Sequence, residues 1–224
     1  KNIDMKSLEE ESPTFKLLTK LIGKIGSESV FEENQESIIE YFTTIFKNID
    51  MKSLEEESPT FKLLEELIGK IGSESVSEEN QESIIEYFTT TFKDIDIKSL
   101  EKNSGIFILL DNLIYKIGSE SVSQENRELI LDYFTKVLPN INDIKEGSIG
   151  YKLLEKLINQ ILYNKDVSQS ILDYFIKGLP DINDIKEESI GYKLLEKLIY
   201  QINYVSEENR ELILDYFTKV LPNI

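Results

Sequence analysis

The sequence predicts an all-α chain, a right-handed α-solenoid of about five stacked helical hairpins and about ten helices. Three observations predict it. SESVFEENQESIIEYF at 27–42 returns as SESVSEENQESIIEYF at 73–88, so the chain repeats itself with a period of 46 residues. Within each repeat the apolar residues fall at helical spacing on two separate segments. No apolar run approaches the roughly 18 residues that span a bilayer, so the greasy faces must be buried within protein.

The repeat divides the 224 residues into units 1–46, 47–92, 93–138, 139–179 and 180–221, one array rather than separate domains. Units one and two differ only as Thr19/Glu65, Lys20/Glu66, Phe31/Ser77 and Ile45/Thr91. Pro222, Asn223 and Ile224 match the starts of units four and five and read as the beginning of a further unit.

Each unit reads as two helices, A then B. In unit two Ser58 is an N-cap and Pro59 occupies the first helical position, where its missing N–H is not needed. Phe61, Leu63, Leu64, Leu67, Ile68 and Ile71 then form one apolar face, and Gly72 stops the helix. Helix B opens at Ser77, with Glu78 and Glu79 in the first turn, where carboxylates favour the helix macrodipole. Its apolar set is Ile84, Ile85, Tyr87, Phe88 and Phe92. Unit three widens that face with Leu129, Ile130, Leu131, Tyr133, Phe134, Val137 and Leu138. Pro139, Pro180 and Pro222 end helix B in the later copies. Unit four reads VSQSILDYF where unit five reads VSEENRELILDYF, which predicts a helix B shorter by one turn in unit four. A hairpin this apolar cannot stand alone and must be covered by like neighbours.

At the level of architecture the pattern resembles HEAT or armadillo repeats in unit length and helix count. The resemblance covers all five units, carries no motif particular to one family, and implies an extended binding surface.

Composition narrows the chemistry. Cys and His are absent, which removes the ordinary ligands of zinc, copper and haem and the usual nucleophile–base pairs. No glycine-rich phosphate loop appears. The loop letters NID, DID and DIND suggest calcium, but the sixth and twelfth positions of an EF-hand loop hold Ser99 and Gly105 from Asp94, and Lys186 and Tyr192 from Asp181. Asp and Asn capping local turns explain those letters better. The chain is therefore expected to be non-catalytic, with no cofactor and no metal.

The net charge of −17 opposes phosphate neutralisation and so nucleic-acid binding, and favours a basic protein partner. One acidic position recurs in every unit, just before Tyr-Phe: Glu40, Glu86, Asp132, Asp173 and Asp215. In a regular array these would form a row for a Lys/Arg-bearing partner; an ordinary solvated face is the plainer reading. The tyrosines beside them, Tyr41, Tyr87, Tyr133, Tyr174 and Tyr216, read as half-buried packing residues with hydroxyls in water. The first-turn acids Glu32, Glu33, Glu78, Glu79, Glu125, Glu207 and Glu208 have a structural reason in the helix dipole. The functional expectation is a non-catalytic scaffold holding another protein through an extended acidic surface. A structural or self-assembling element, a spacer or filament component, is the alternative.

Overall fold

Serine caps and prolines set where the chain turns helical. The computed structural model describes residues 3–101, 104–138, 141–162, 165–179 and 185–220. Among them are ten α-helices and no named strand. They are α1 (Pro13–Ile22), α2 (Glu32–Phe46), α3 (Pro59–Gly69), α4 (Glu78–Phe92), α5 (Gly105–Ile117), α6 (Gln124–Val137), α7 (Ile149–Asn159), α8 (Lys165–Gly178), α9 (Ile190–Gln201) and α10 (Glu207–Val220). Odd helices are the A helices of the sequence and even ones the B helices. The prolines at 139, 180 and 222 and the expected start of a further unit lie outside the described residues.

Every A helix starts on a serine whose hydroxyl accepts a backbone N–H three residues on: Ser12 from Phe15, Ser58 from Phe61, Ser104 from Phe107, Ser148 from Tyr151 and Ser189 from Tyr192. These bonds satisfy donors that the first turn leaves open. Asp4, Asp50 and Asp96 do the same for short 3₁₀ turns before the first three A helices, accepting from Lys6, Lys52 and Lys98 at 3.0, 3.2 and 3.0 Å. The NID and DID letters are thus turn caps, with Ile95 docked in the core.

The A helices contact one another in chain order, α1 to α3, α3 to α5, α5 to α7 and α7 to α9. The B helices do likewise, α2 to α4 and on to α10. Between the two rows runs one apolar cluster, from Met5 to Phe217. Polar groups tie neighbours where the rows meet. Thr60 Oγ1 donates to the Met5 carbonyl at 2.7 Å, and Asn126 Nδ2 to the Glu78 carbonyl at 3.2 Å. Lys116 Nζ reaches back to the Ile71 and Gly69 carbonyls at 2.5 and 3.3 Å, capping the end of α3 from the next unit. Burial lowers the pKa of that ammonium.

Three expectations need correction. The B helix of unit four is not shortened: α8 has 14 residues, as do α6 and α10. The deletion falls in the connection, and Val167 and Ser168 lie inside α8 rather than before it. There Ser168 Oγ donates to the Ile161 carbonyl at 2.9 Å, so the shorter connection is still fastened to its helix. Leu129, counted with the apolar face of α6, is exposed. Regular helix α3 ends at Gly69 and runs on in tighter i→i+3 turns; Gly72 then takes φ +82°, the left-handed residue that redirects the chain.

Candidate functional site

The B row carries the residues singled out by the sequence. α4, α6 and α10 begin on Ser77, Ser123 and Ser206, whose hydroxyls accept the Asn80, Asn126 and Asn209 amides at 3.4, 3.3 and 3.3 Å. One turn in, Gln81 Oε1 accepts the Gly72 amide at 2.8 Å while its Nε2 donates to the Val76 carbonyl at 2.9 Å. Gln35 repeats this on Gly26 and Val30, and Arg127 grips the Ser119 carbonyl through two nitrogens. The connection between A and B is therefore fastened to its own B helix. That fixes the rotation of the helix and the direction of everything further along it.

With that rotation Glu40, Glu86, Asp132, Asp173 and Asp215 are all exposed, on helices that pack in sequence. Their surroundings are mixed rather than acidic. Asp132 pairs with Lys136, and Asp215 with Lys219 at 2.5 Å, each one turn along its own helix. Asp173 accepts from Gln169 Nε2 at 2.8 Å. Glu40 and Glu86 form no side-chain hydrogen bond or ion pair with any described residue.

Two of the five line grooves. Between α2 and α4 lies a groove of about 630 Å³ bordered by Thr43, Ile49, Ser83, Glu86 and Tyr87. Between α6 and α8 lies one of about 530 Å³ bordered by Thr135, Ile141, Ser170, Asp173 and Tyr174. These are the same repeat positions in both places, each pairing a hydroxyl-bearing wall with a carboxylate and a tyrosine; Thr43, Ser83 and Thr135 donate their hydroxyls to carbonyls of their own helices. Lys47 and Lys52 also face the first groove, and Lys177 the second.

The tyrosines depart from expectation along the chain. Tyr41 is exposed and Tyr87 half-buried, its ring 6.4 Å from that of Phe46 in the preceding unit. Tyr133 is buried, and its hydroxyl, instead of meeting water, donates to the Phe92 carbonyl at 3.2 Å. Tyr216 is buried too, with no hydrogen-bond partner for its hydroxyl among the described residues. Burial lifts the Tyr174 phenol to about 12, and raises Tyr87, Tyr133 and Tyr216 further.

Sequence reasoning passed over Phe31. It stands where units two and three have a capping serine, and it supplies no side-chain cap to α2. Its ring is 81 % exposed, beside a groove of about 540 Å³ lined by Glu32, Glu33, Glu36 and Glu79 without a basic residue. The signal was available: Phe31/Ser77 is one of only four differences between the first two units.

Comparison with family models, curated proteins and solved structures finds no match to this chain.

Proposed function

We propose that the chain is a non-catalytic scaffold with α-solenoid architecture of the HEAT or armadillo kind, right-handed, that holds a segment of a basic protein along its B-helix row. The observation that carries this reading is the recurrence of one groove at two places, with Glu86 and Tyr87 in the first and Asp173 and Tyr174 in the second. An extended segment lying across the row would meet the same wall at intervals, which suits a partner with spaced lysines or arginines. The acidic groove beside Phe31 adds an aromatic contact for the aliphatic stem or charged head of such a side chain. The lysines near both grooves temper the field, so long-range attraction depends on the overall charge of −17 more than on the row itself.

The test is binding of a fluorescent Lys/Arg-rich peptide by anisotropy at low and at physiological salt. Converting Glu40, Glu86, Asp132, Asp173 and Asp215 to Gln or Asn should weaken binding at low salt by at least about tenfold, and Glu86 with Asp173 alone should account for most of it. Unchanged affinity after all five replacements removes the row from the function.

A further inference from the structure

One joint of the B row is built differently from its copies. Where unit three meets unit two, Asn126 Nδ2 donates to the Glu78 carbonyl at 3.2 Å. Where unit five meets unit four, Asn209 Nδ2 donates to the Ile161 carbonyl at 2.7 Å. In both cases an asparagine in the first turn of a B helix closes the joint against the preceding unit. Asn80 stands at the same position of α4 and is 3 % exposed, yet its Nδ2 has no hydrogen-bond partner among the described residues. Its backbone amide is taken by the Ser77 cap, so the orphan donor belongs to the side chain. A buried donor without an acceptor keeps a desolvation penalty that an incoming acceptor relieves.

Beside Asn80 the joint opens into the groove of about 540 Å³ between the first turns of α2 and α4, lined by Phe31, Glu32, Glu33, Glu36, Glu79 and Asn80. Phe31 and Ser77 hold the same position in units one and two. Ser77 caps α4, whereas Phe31 gives α2 no side-chain cap and sets a ring at the groove. Both walls belong to the joint between units one and two, inside the chain.

The groove makes two demands of an occupant. Its four carboxylates call for a cation: no basic residue lines the groove, and Ser37 and Ser83 donate to the main-chain carbonyls of Glu33 and Glu79 instead of to their side chains. Asn80 calls for a hydrogen-bond acceptor. The acids are spread over two helices and do not converge as metal ligands would; among the described residues no group of three or more could hold a metal ion. A planar cation suits the arrangement better. A guanidinium can lay its face on Phe31 while its edge N–H groups reach carboxylates on either wall, whereas the ammonium of lysine is a compact, strongly hydrated charge. An arginine within a peptide also brings the acceptor, a main-chain carbonyl.

We infer that the groove at Phe31 and Asn80 is an arginine pocket, which takes one arginine of a bound protein segment against the Phe31 ring and the surrounding carboxylates while a main-chain carbonyl of that segment accepts from Asn80 Nδ2. The inference rests on the reading that the chain holds a basic segment, and adds a fixed point to it. The grooves at Glu86 and Asp173 repeat and would accept the segment in more than one register; a pocket at a single joint sets which register is used.

The test is an NMR titration of the isotope-labelled 224-residue chain with N-acetyl-arginine methylamide, with the lysine and citrulline counterparts alongside. The arginine compound should give saturable shifts at the Asn80 side-chain amide and at the backbone of Phe31 and Glu33. The lysine compound should bind at least about threefold more weakly, and the neutral citrulline compound should give no saturable shift. Phe31→Ser should weaken arginine binding by about three- to tenfold, and Asn80→Ala by about two- to tenfold. Phe31→Ser installs the cap that unit two already has, so thermal melts should show it at least as stable as the wild type. Replacing the five carboxylates of the B row should leave affinity for the arginine compound within about twofold at physiological salt. That separates the pocket from the row. A Lys/Arg-rich peptide that responds to the row replacements but not to Phe31→Ser overturns the pocket and leaves the row standing. No saturable shift at Asn80, or equal affinity for the arginine and lysine compounds, overturns it as well. So does calcium chloride that saturates the same resonances while the arginine compound does not.

Discussion

Leu17 and Leu63 sit at the same place in two units that differ at four positions, inside the same local sequence, PTFKLL. One is 66 % exposed and the other fully buried. Nothing within that hexapeptide distinguishes them; the difference is that α3 has α1 against it, whereas no described helix lies on the far side of α1. The comparison separates two contributions usually entangled in a core residue. Local sequence decides that Leu63 lies on the apolar face of a helix, and a neighbouring unit decides that the face is dry. Stability in such a chain resides largely at the joints between units.

The widest gap is expected from truncating both leucines. Leu63→Ala removes a side chain from a packed joint and should lower the unfolding free energy by about 2–5 kcal/mol. Leu17→Ala, made in dilute monomer, should change it by less than about 0.5 kcal/mol. Urea denaturation followed by far-UV circular dichroism reads both. Equal losses would mean that unit one is covered in solution, and the concentration dependence of the Leu17→Ala effect would show whether a second copy covers it.

A smaller effect sharpens the same contrast through the backbone. Gly72 has φ +82°, and an added Cβ would come 3.0 Å from Val122 Cγ2 in the following unit. Gly69 ends α3 with open space around its Cα. Gly72→Ala should therefore cost about 1–3 kcal/mol, whereas Gly69→Ala should stabilise by about 0.5–1 kcal/mol. Thermal melts of the two variants should move in opposite directions.

The tyrosines offer a third pair. Tyr133→Phe strands the Phe92 carbonyl at a buried joint and should cost about 1 kcal/mol. Tyr41→Phe, at an exposed ring whose hydroxyl bonds no described residue, should be neutral. Alkaline titration gives an independent check. A phenol whose folded pKa is raised holds its proton in the folded chain after the unfolded chain has released it. The stability it contributes is complete below pH 10 and lost as pH rises from there to about 12 for Tyr174. Unfolding monitored by circular dichroism should set in across that window.

These contrasts also mark how far the sequence could be read. Ser58 with Pro59, the first-turn glutamates and the spacing of Phe61, Leu64 and Ile68 are local signals, and the helices begin and bury where those signals say. Val167 and Ser168 misled because two letters matched the connection of unit five, while in the structure they belong to the first turn of α8. The outward carboxylates of the B row were legible from periodicity. Their i,i+4 pairing to Lys136 and Lys219 lies within one helix and follows from the same spacing, whereas the grooves that take in Glu86 and Asp173 depend on how successive B helices pack. The A-row ladder was written plainly as Glu or Asp followed by Lys or Asn. It joins residues of successive units, however, and no single unit's pattern states the register between them.

The smallest effect lies at the rung where that ladder fails. The register that brings Lys156 to Asp111 brings Glu66 opposite Thr19, and no ion pair forms there among the described residues. Thr19 and Glu66 are among the few letters by which unit one departs from unit two, so the one uncharged rung position faces the one acidic partner. Burial raises the Glu66 pKa above its ordinary 4.5, partly offset by Lys70. The folded chain then binds the proton more tightly than the unfolded chain, and this group's contribution to stability falls as pH rises through the carboxylate range. Glu66→Gln should accordingly stabilise by a few tenths of a kcal/mol, roughly 0.3, at pH 7, with solvent screening keeping the gain small. The gain should vanish at pH 3, where the wild-type carboxyl is already neutral. Thr19→Glu in the wild-type background should push the other way at pH 7, by setting two carboxylates face to face, and Thr19→Glu with Glu66→Lys should restore the loss by completing the rung. If the double variant fares no better than Thr19→Glu alone, the register drawn from Lys156 and Asp111 does not extend to the first joint.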